Sequence, residues 1–352
     1  MIDPQWQHAE RILCVRLDYL GDVLMSTPAI RALKESIPGS RITLLTSASG
    51  AAAARHVPEI DDTIGYAAPW MKSSAQHEPR TDFALIERLA RQHFDAAVIF
   101  TVYSQNPLPA AMLCHLAGIP LRLAHCRENP YQLLTNWVRE TEPETQIRHE
   151  VRRQLDLVAS VGAHASDERL SFHVAPPDVA WVKTRLLSLD IDLTRPWIVM
   201  HPGATAPSRR YPPEHWKATA LGLVDDLRCP LIFTGNQEEA ELVEHIRREV
   251  PGTHSLAGQL DLGKLAALLS LSPLLICNNT GPAHIAAAVG VPIVDLYALT
   301  NPQHTPWQVP HRVLFQDVPC RYCYKSVCPQ GHHRCLSELA PERVISAAKE
   351  LL

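Results

Sequence analysis

The sequence has no apolar run of about 20 residues, the length a helix needs to cross a bilayer. Residues 1–10 are largely polar and lack the apolar stretch of a signal peptide. The expected setting is therefore the cytoplasm, with peripheral contact to the inner membrane face left open. An excess of positive charge is missing too. Lys and Arg number 33 against 37 Asp and Glu, a net charge of -4, so no basic footprint for nucleic acid is expected. Several motifs are absent: the G-x-G-x-x-G dinucleotide fingerprint, a P-loop lysine, a nucleophile elbow and H-E-x-x-H. Their absence argues against dinucleotide-dependent redox chemistry, P-loop NTP hydrolysis, acyl hydrolysis and zincin proteolysis. The 29 prolines are spread over element boundaries and form no low-complexity tract.

What is present is core-forming material in alternation. Hydrophobic residues make up 46% of 352 positions, enough for two cores of ordinary domain size. Residues 11–17 and 41–46 read as strands around a helix at 22–36, which Pro38-Gly39 stops. That is a β-α-β unit and implies a parallel sheet. Residues 96–100 read as a further strand, 110–117 as a helix and 148–161 as an amphipathic helix. Pro176-Pro177 marks a hinge. Beyond it, strands at 197–200, 231–234, 274–277 and 293–296 alternate with helices at 214–226, 238–249, 265–271 and 283–289. The expected fold is α/β, with two Rossmann-like doubly wound domains facing a central cleft. Residues 1–175 form the N-terminal domain and 176–338 the C-terminal one. A last helix at 339–352 packs back towards the N-terminal domain.

In such sheets ligands bind beyond the carboxyl ends of the strands, where loops enter helix N-termini. Four loops have that position. Asp18–Val23 turns at Gly21 and places Asp22 at a helix start, as a cap or as a general base held ionised by the helix dipole. Residues 201–211 bring Gly203, Thr205, Ser208, Arg209 and Arg210, the parts that hold a diphosphate without metal, or else a solvated loop. Residues 234–239 offer Glu238 and Glu239, either as acceptors for ribose hydroxyls or as first-turn helix acids. Residues 277–284 combine Asn278, Asn279, Thr280 and Gly281 with His284 at the head of an Ala-rich helix.

These segments carry a resemblance. Arg16-Leu17-Asp18-Tyr19-Leu20-Gly21-Asp22-Val23-Leu24 and Thr27-Pro28-Ala29-Ile30-Arg31-Ala32-Leu33 resemble the opening signature of glycosyltransferase family 9, the ADP-heptose–lipopolysaccharide heptosyltransferases. His201-Pro202-Gly203-Ala204, Thr234-Gly235 and Asn279-Thr280-Gly281-Pro282-Ala283-His284 are similar to its donor-site signatures, in the same order. The resemblance implies a GT-B fold, with the acceptor on the first domain and the nucleotide sugar on the second. It implies inverting transfer of heptose, or a related sugar, from ADP-heptose to a lipopolysaccharide core or similar glycan or glycolipid acceptor. No cofactor is required for that catalysis. Asp22 matches the catalytic base. Thr205 and Arg209 match diphosphate-binding residues, Arg209 standing where well-known members have lysine. Glu238 or Glu239 matches the ribose-binding acid, and Thr280, Gly281 and His284 match the phosphate-binding motif. Asn279 departs from the aspartate often found before the threonine. The alternatives are a sugar-nucleotide epimerase on the same scaffold and a non-catalytic nucleotide-sugar binding protein.

On the acceptor side, Arg122, Arg127 and Arg152, with Arg148 and Arg153, are candidates for anionic sugars or phosphates; each also reads as a surface charge. Cys14, Cys114, Cys126, Cys229 and Cys277 read as core thiols. Cys320, Cys323, Cys328 and Cys335 crowd into sixteen residues, a spacing suited to structural zinc or iron. Reduced thiols and disulfides are the other readings of that cluster.

Overall fold

The computed structural model describes residues 2–72 and 77–352. The chain divides into two compact units, Met1–Ser171 and Phe172–Leu352.

The first unit runs β1 (Arg11–Arg16), α1 (Leu20–Ser36), β2 (Arg41–Thr46), α2 (Ala48–Ala54), β3 (Asp62–Gly65), α3 (Pro79–Arg91), β4 (Ala96–Ile99), α4 (Leu108–Leu116), β5 (Leu121–Cys126), β6 (Asn136–Arg139) and α5 (Glu150–Ala159). The six strands pair in the order β3-β2-β1-β4-β5-β6, and every described pair is parallel. β1, β2 and β4 are buried almost throughout, as strands covered by helices on both faces must be. The order reverses between β1 and β4, so the loops leaving these two strands flank the natural ligand crevice of this sheet. α1 contains Pro28, which lacks the N–H that would bond the Leu24 carbonyl. The Thr27 hydroxyl donates to that oxygen instead, at 2.7 Å, and the helix continues through the proline.

The second unit runs α6 (Pro176–Leu187), β7 (Ile198–His201), α7 (Pro213–Leu227), β8 (Leu231–Phe233), α8 (Ala240–Arg247), β9 (Thr253–Ser255), α9 (Leu262–Leu271), β10 (Leu275–Asn278), α10 (Gly281–Ala288), β11 (Ile293–Leu296), β12 (His311–Leu314), α11 (Arg334–Ser337) and α12 (Pro341–Leu351). Its sheet has the order β12-β11-β10-β7-β8-β9, again parallel, with the reversal between β7 and β10.

Pro176-Pro177 opens α6, where a proline at the first helical position loses no hydrogen bond. The closing helix lies within the second unit. Val344, Ala347 and Ala348 on α12 join the core of the second unit with Leu223 of α7, and Lys349 pairs with Asp226. Gly222 makes the approach feasible, because a Cβ there would lie 2.4 Å from Ile345 Cδ1. An apolar stripe is buried against the nearest complementary groove, and α7 provides it.

Candidate active site

In the first unit the site grows from the end of β1. Arg16 closes that strand and is fully buried. Its guanidinium is shared among three carboxylates. Nη1 donates to Glu150 Oε1 at 2.7 Å, and Nη2 donates to Asp22 Oδ1 at 3.1 Å. Asp18 Oδ2 lies 3.0 Å from Nε, an ion-pair contact without hydrogen-bond geometry. Asp22 occupies the third position of α1, where its Oδ2 accepts the Tyr19 N–H at 3.2 Å. The capping geometry is therefore real, and it leaves the Asp22 side chain 15% exposed. Asp18 accepts from Gln105 Nε2 at 2.5 Å. Its carboxyl is pushed up to about 6, chiefly by burial, with Arg16 opposing and Asp22 and Glu150 reinforcing.

Behind this cluster, Gln154 Nε2 donates to Glu150 Oε1 at 2.6 Å and to the Thr101 carbonyl at 3.0 Å. Arg16, Asp18 and Glu150 received no individual role in the sequence reading. The available signal was a lone cation ending an apolar strand, with acids two and six positions later.

The expected acceptor arginines are held by groups of the first unit. Arg122 is buried and donates to the carbonyls of Leu133, Gln132, Pro120 and Ile119, so it pins two loops together. Arg127 pairs with Glu144, and Arg152 makes a two-pronged pair with Glu168 at 3.0 and 2.5 Å. Arg148 holds Glu142 and Asp156, and buried Arg153 holds Glu140.

In the second unit the loops after β7 and β10 flank the reversal of strand order. Asn278, fully buried at the end of β10, ties them together: its Nδ2 donates to Pro202 O at 2.7 Å and its Oδ1 accepts Tyr211 N–H at 3.2 Å. Thr205 is exposed on the β7 loop, and Arg209 reaches across it so that Nη1 donates to Asn279 O at 3.3 Å. Thr280 precedes α10, and Gly281 and His284 lie in its first turn, where helix N–H groups and dipole favour an anion. The Asn279 side chain accepts Ala298 N–H at 3.3 Å and is buried, so it braces the segment that follows β11.

Ser208 departs from expectation. Its hydroxyl donates to Lys325 O at 2.8 Å and its N–H to Ser326 O at 3.0 Å, so it anchors the β7 loop to the cysteine-bearing segment.

The two glutamates separate clearly. Glu238 is exposed, whereas the Glu239 carboxylate accepts Asn236 N–H at 2.9 Å and lies over Gly203, where a Cβ would come within 2.2 Å of it. Gly203 is thus the space in which that carboxylate sits. His201 hydrogen-bonds Thr234 Oγ1 at 2.9 Å, and burial pushes its imidazole below the ordinary range, towards the neutral form.

The metal expectation finds no support here. Cys320 Sγ lies 3.8 Å from His332 Nε2, and burial, together with the other three thiols, raises Cys335. Among the described residues, no group of three or more His, Cys, Asp or Glu side chains is arranged to hold a metal ion. All nine cysteines are free, so the disulfide reading has no support either.

Two parallel Rossmann-like sheets are present. One carries a carboxylate on a buried guanidinium, and the other a bonded pair of loops at its switch point. Together they define the GT-B class of glycosyltransferases. A model of glycosyltransferase family 9 (heptosyltransferase) matches residues 83–333, and the chain belongs to that family. It is 25% identical over 358 residues to lipopolysaccharide heptosyltransferase 2 of Escherichia coli K12, covering 97% of this chain and 98% of that one. It is also similar to a solved family 9 glycosyltransferase from Veillonella parvula, with TM-score 0.79, 23% identity and coverage of 99% and 97%. The solved E. coli ADP-heptose lps heptosyltransferase II aligns at TM-score 0.74 and 22% identity, covering 97% of this chain and 98% of that one.

Proposed function

We propose that this glycosyltransferase moves a heptose, or a closely related sugar, from ADP-heptose to a lipopolysaccharide-core or similar glycan acceptor, with inversion at the anomeric carbon. The observation that carries the reading is the Asp22 carboxylate, oriented by Arg16 and by the Tyr19 N–H yet still open to solvent. Asp22 takes the acceptor hydroxyl proton as that oxygen bonds to the anomeric carbon. The bond from that carbon to the phosphate oxygen breaks, and ADP leaves with the electron pair. A diphosphate leaving group requires charge stabilisation rather than protonation, and Arg209 with the N–H groups of α10 supplies it. Glu239, not Glu238, accepts the ribose hydroxyls, because its carboxylate faces the β7 and β8 loops beside Gly203. We place the reaction on the cytoplasmic side, at the membrane periphery; no helix among the described residues is long and apolar enough to cross a membrane.

The donor is tested by thermal shift with ADP-, GDP- and UDP-sugars, followed by acceptor-dependent release of ADP. Stabilisation by ADP compounds is expected, with release only when an acceptor is present. Stabilisation by UDP compounds alone, or equal turnover without acceptor, would overturn the assignment.

A second expectation concerns the acid pair. Glu239→Gln raises the donor KM about tenfold or more, the range for losing a charge-assisted hydrogen bond. Glu238→Gln should stay near wild type. Equal effects from both variants would show that Glu239 has no privileged contact.

A further inference from the structure

We infer that the outward side of α3 and α4 is a membrane-docking surface, fitted to a bilayer that contains anionic lipid. This rests on the reading of the acceptor as a glycolipid used at the membrane periphery.

The topology puts both helices on one surface. α3 joins β3 to β4 and α4 joins β4 to β5, two steps in the same direction along the sheet, and right-handed crossovers lay both on the same face. The helices pack against each other, and Leu85, Leu89, Ala110, Ala111 and Cys114 enter one core. The helical period turns the opposite sides to solvent. On α4 that side holds Leu108, Met112 and Leu116, four residues apart, with Met112 42% and Leu116 57% exposed. On α3 it holds Phe83, 67% exposed, with Arg80 and Arg91. Tyr131, in the turn that packs on α4, is 82% exposed. Large apolar side chains scattered singly over a surface are ordinary. Four gathered on two adjoining helices and one turn make a patch, which marks a contact surface.

Charge selects the partner. Arg80, Arg88 and Arg91 are exposed on α3, and among the described residues none of the three is held by a carboxylate. Asp82 is taken up by Tyr66 and His77, which leaves Glu87 as the one exposed acid of that helix. A chain of net charge -4 thus turns positive charge outward beside its apolar patch. Apolar side chains flanked by free arginines suit the headgroup region of an anionic bilayer. A second copy fits less well, because a two-fold contact through this surface sets the arginines of one copy against those of the other.

Position gives the surface its use. α4 starts from the carboxyl end of the sheet, the end at which β1 leads into Asp18 and Asp22. Gln105, three residues before Leu108, donates to Asp18. The apolar stripe therefore begins beside the crevice and runs about 12 Å along α4 away from it. A glycolipid whose apolar part stays in the bilayer can present its sugar there without leaving the membrane.

Co-sedimentation of the full chain with vesicles tests this, using phosphatidylcholine alone and phosphatidylcholine mixed with phosphatidylglycerol. Binding to the mixed vesicles is expected, weakened by salt. The double variants Met112→Glu/Leu116→Glu and Arg80→Glu/Arg91→Glu should each lower that affinity about tenfold or more, with ADP affinity and thermal midpoint unchanged. If the first pair lowers the midpoint, Met112→Ala/Leu116→Ala takes its place. Wild-type binding to neither vesicle, or equal binding by wild type and variants, would overturn the inference. So would a concentration-dependent dimer that Met112→Glu/Leu116→Glu abolishes, since the surface would then belong to a second copy. ADP release from ADP-heptose with a de-acylated core saccharide as acceptor, measured on the same proteins, separates the two claims. Failure of the wild type there removes the transfer reading. Normal release by every variant, with no vesicle binding by the wild type, removes the docking surface alone.

Discussion

Asp22→Asn lowers the rate of sugar transfer by about 10²–10⁴-fold, the range for removing a general base, and leaves ADP binding unchanged. Asparagine is nearly isosteric, and its carbonyl oxygen can accept either the Tyr19 N–H or the Arg16 Nη2 proton that the carboxylate now takes at 3.2 and 3.1 Å. The start of α1 should therefore survive, and with it the fold of the first unit. What is lost is a group able to receive the acceptor proton as the new bond forms. The donor loops belong to the second unit and depend on Asn278, Ser208 and Arg209. A single-turnover transfer assay paired with calorimetric titration of ADP separates the two effects. A rate within a few-fold of wild type at unchanged ADP affinity rejects Asp22 as base. A loss of ADP affinity equal to the loss of rate points to a fold defect.

The fold was legible wherever strands are buried on both faces. β1, β2, β4, β7, β8, β10 and β11 are nearly continuous apolar runs, and each stands out from composition alone. Edge strands do not. β6 (Asn136–Arg139) and β12 (His311–Leu314) mix polar and apolar residues on half-exposed ladders, and β9 is three residues long. β5 is obscured for another reason. It is almost wholly buried, but Arg122 and His125 interrupt its apolar run, and burying Arg122 is feasible only because four carbonyls of the segments flanking β5 receive its protons.

The site divides in the same way. Residues that act where they stand in the chain, such as Asp22 at its helix start and Thr280 before α10, can be read locally. Ser208 cannot, because its partner Lys325 lies 117 positions away, nor can the Arg16–Glu150 pair, separated by 134. The choice between Glu238 and Glu239 was likewise invisible to spacing. It follows from the reciprocal bonds between Asn236 and Glu239, which turn the second acid inward over Gly203.

The second large effect is expected at Arg209. Replacing it by alanine should cut kcat/KM by about 10²–10³-fold, the usual loss for one well-placed donor to a developing anion. Arg209 Nη1 is engaged by the Asn279 carbonyl, and among the described residues no other hydrogen bond to its guanidinium is formed, so planar donors remain for phosphate oxygens.

The local charge arrangement favours such a role. Position 279 is a neutral amide whose oxygen accepts the Ala298 N–H, so no carboxylate there competes for the guanidinium. The nearby acid, Asp295, is fully buried without hydrogen-bond partners, and burial raises its carboxyl well above the ordinary range even though Arg209 opposes the rise. Asp295 is thereby biased towards its uncharged form, and the field of Arg209 remains available to the leaving diphosphate.

Because negative charge grows on that group as the glycosidic phosphate bond breaks, the larger share of the loss should appear in kcat and the smaller in donor KM. Arg209→Lys keeps the charge without the fork and should recover part of the rate. Steady-state kinetics of the two variants, with donor varied at saturating acceptor, measures both quantities. An Arg209→Ala enzyme whose defect is confined to KM would make the residue a ground-state anchor. A variant with wild-type kinetics would remove it from the mechanism.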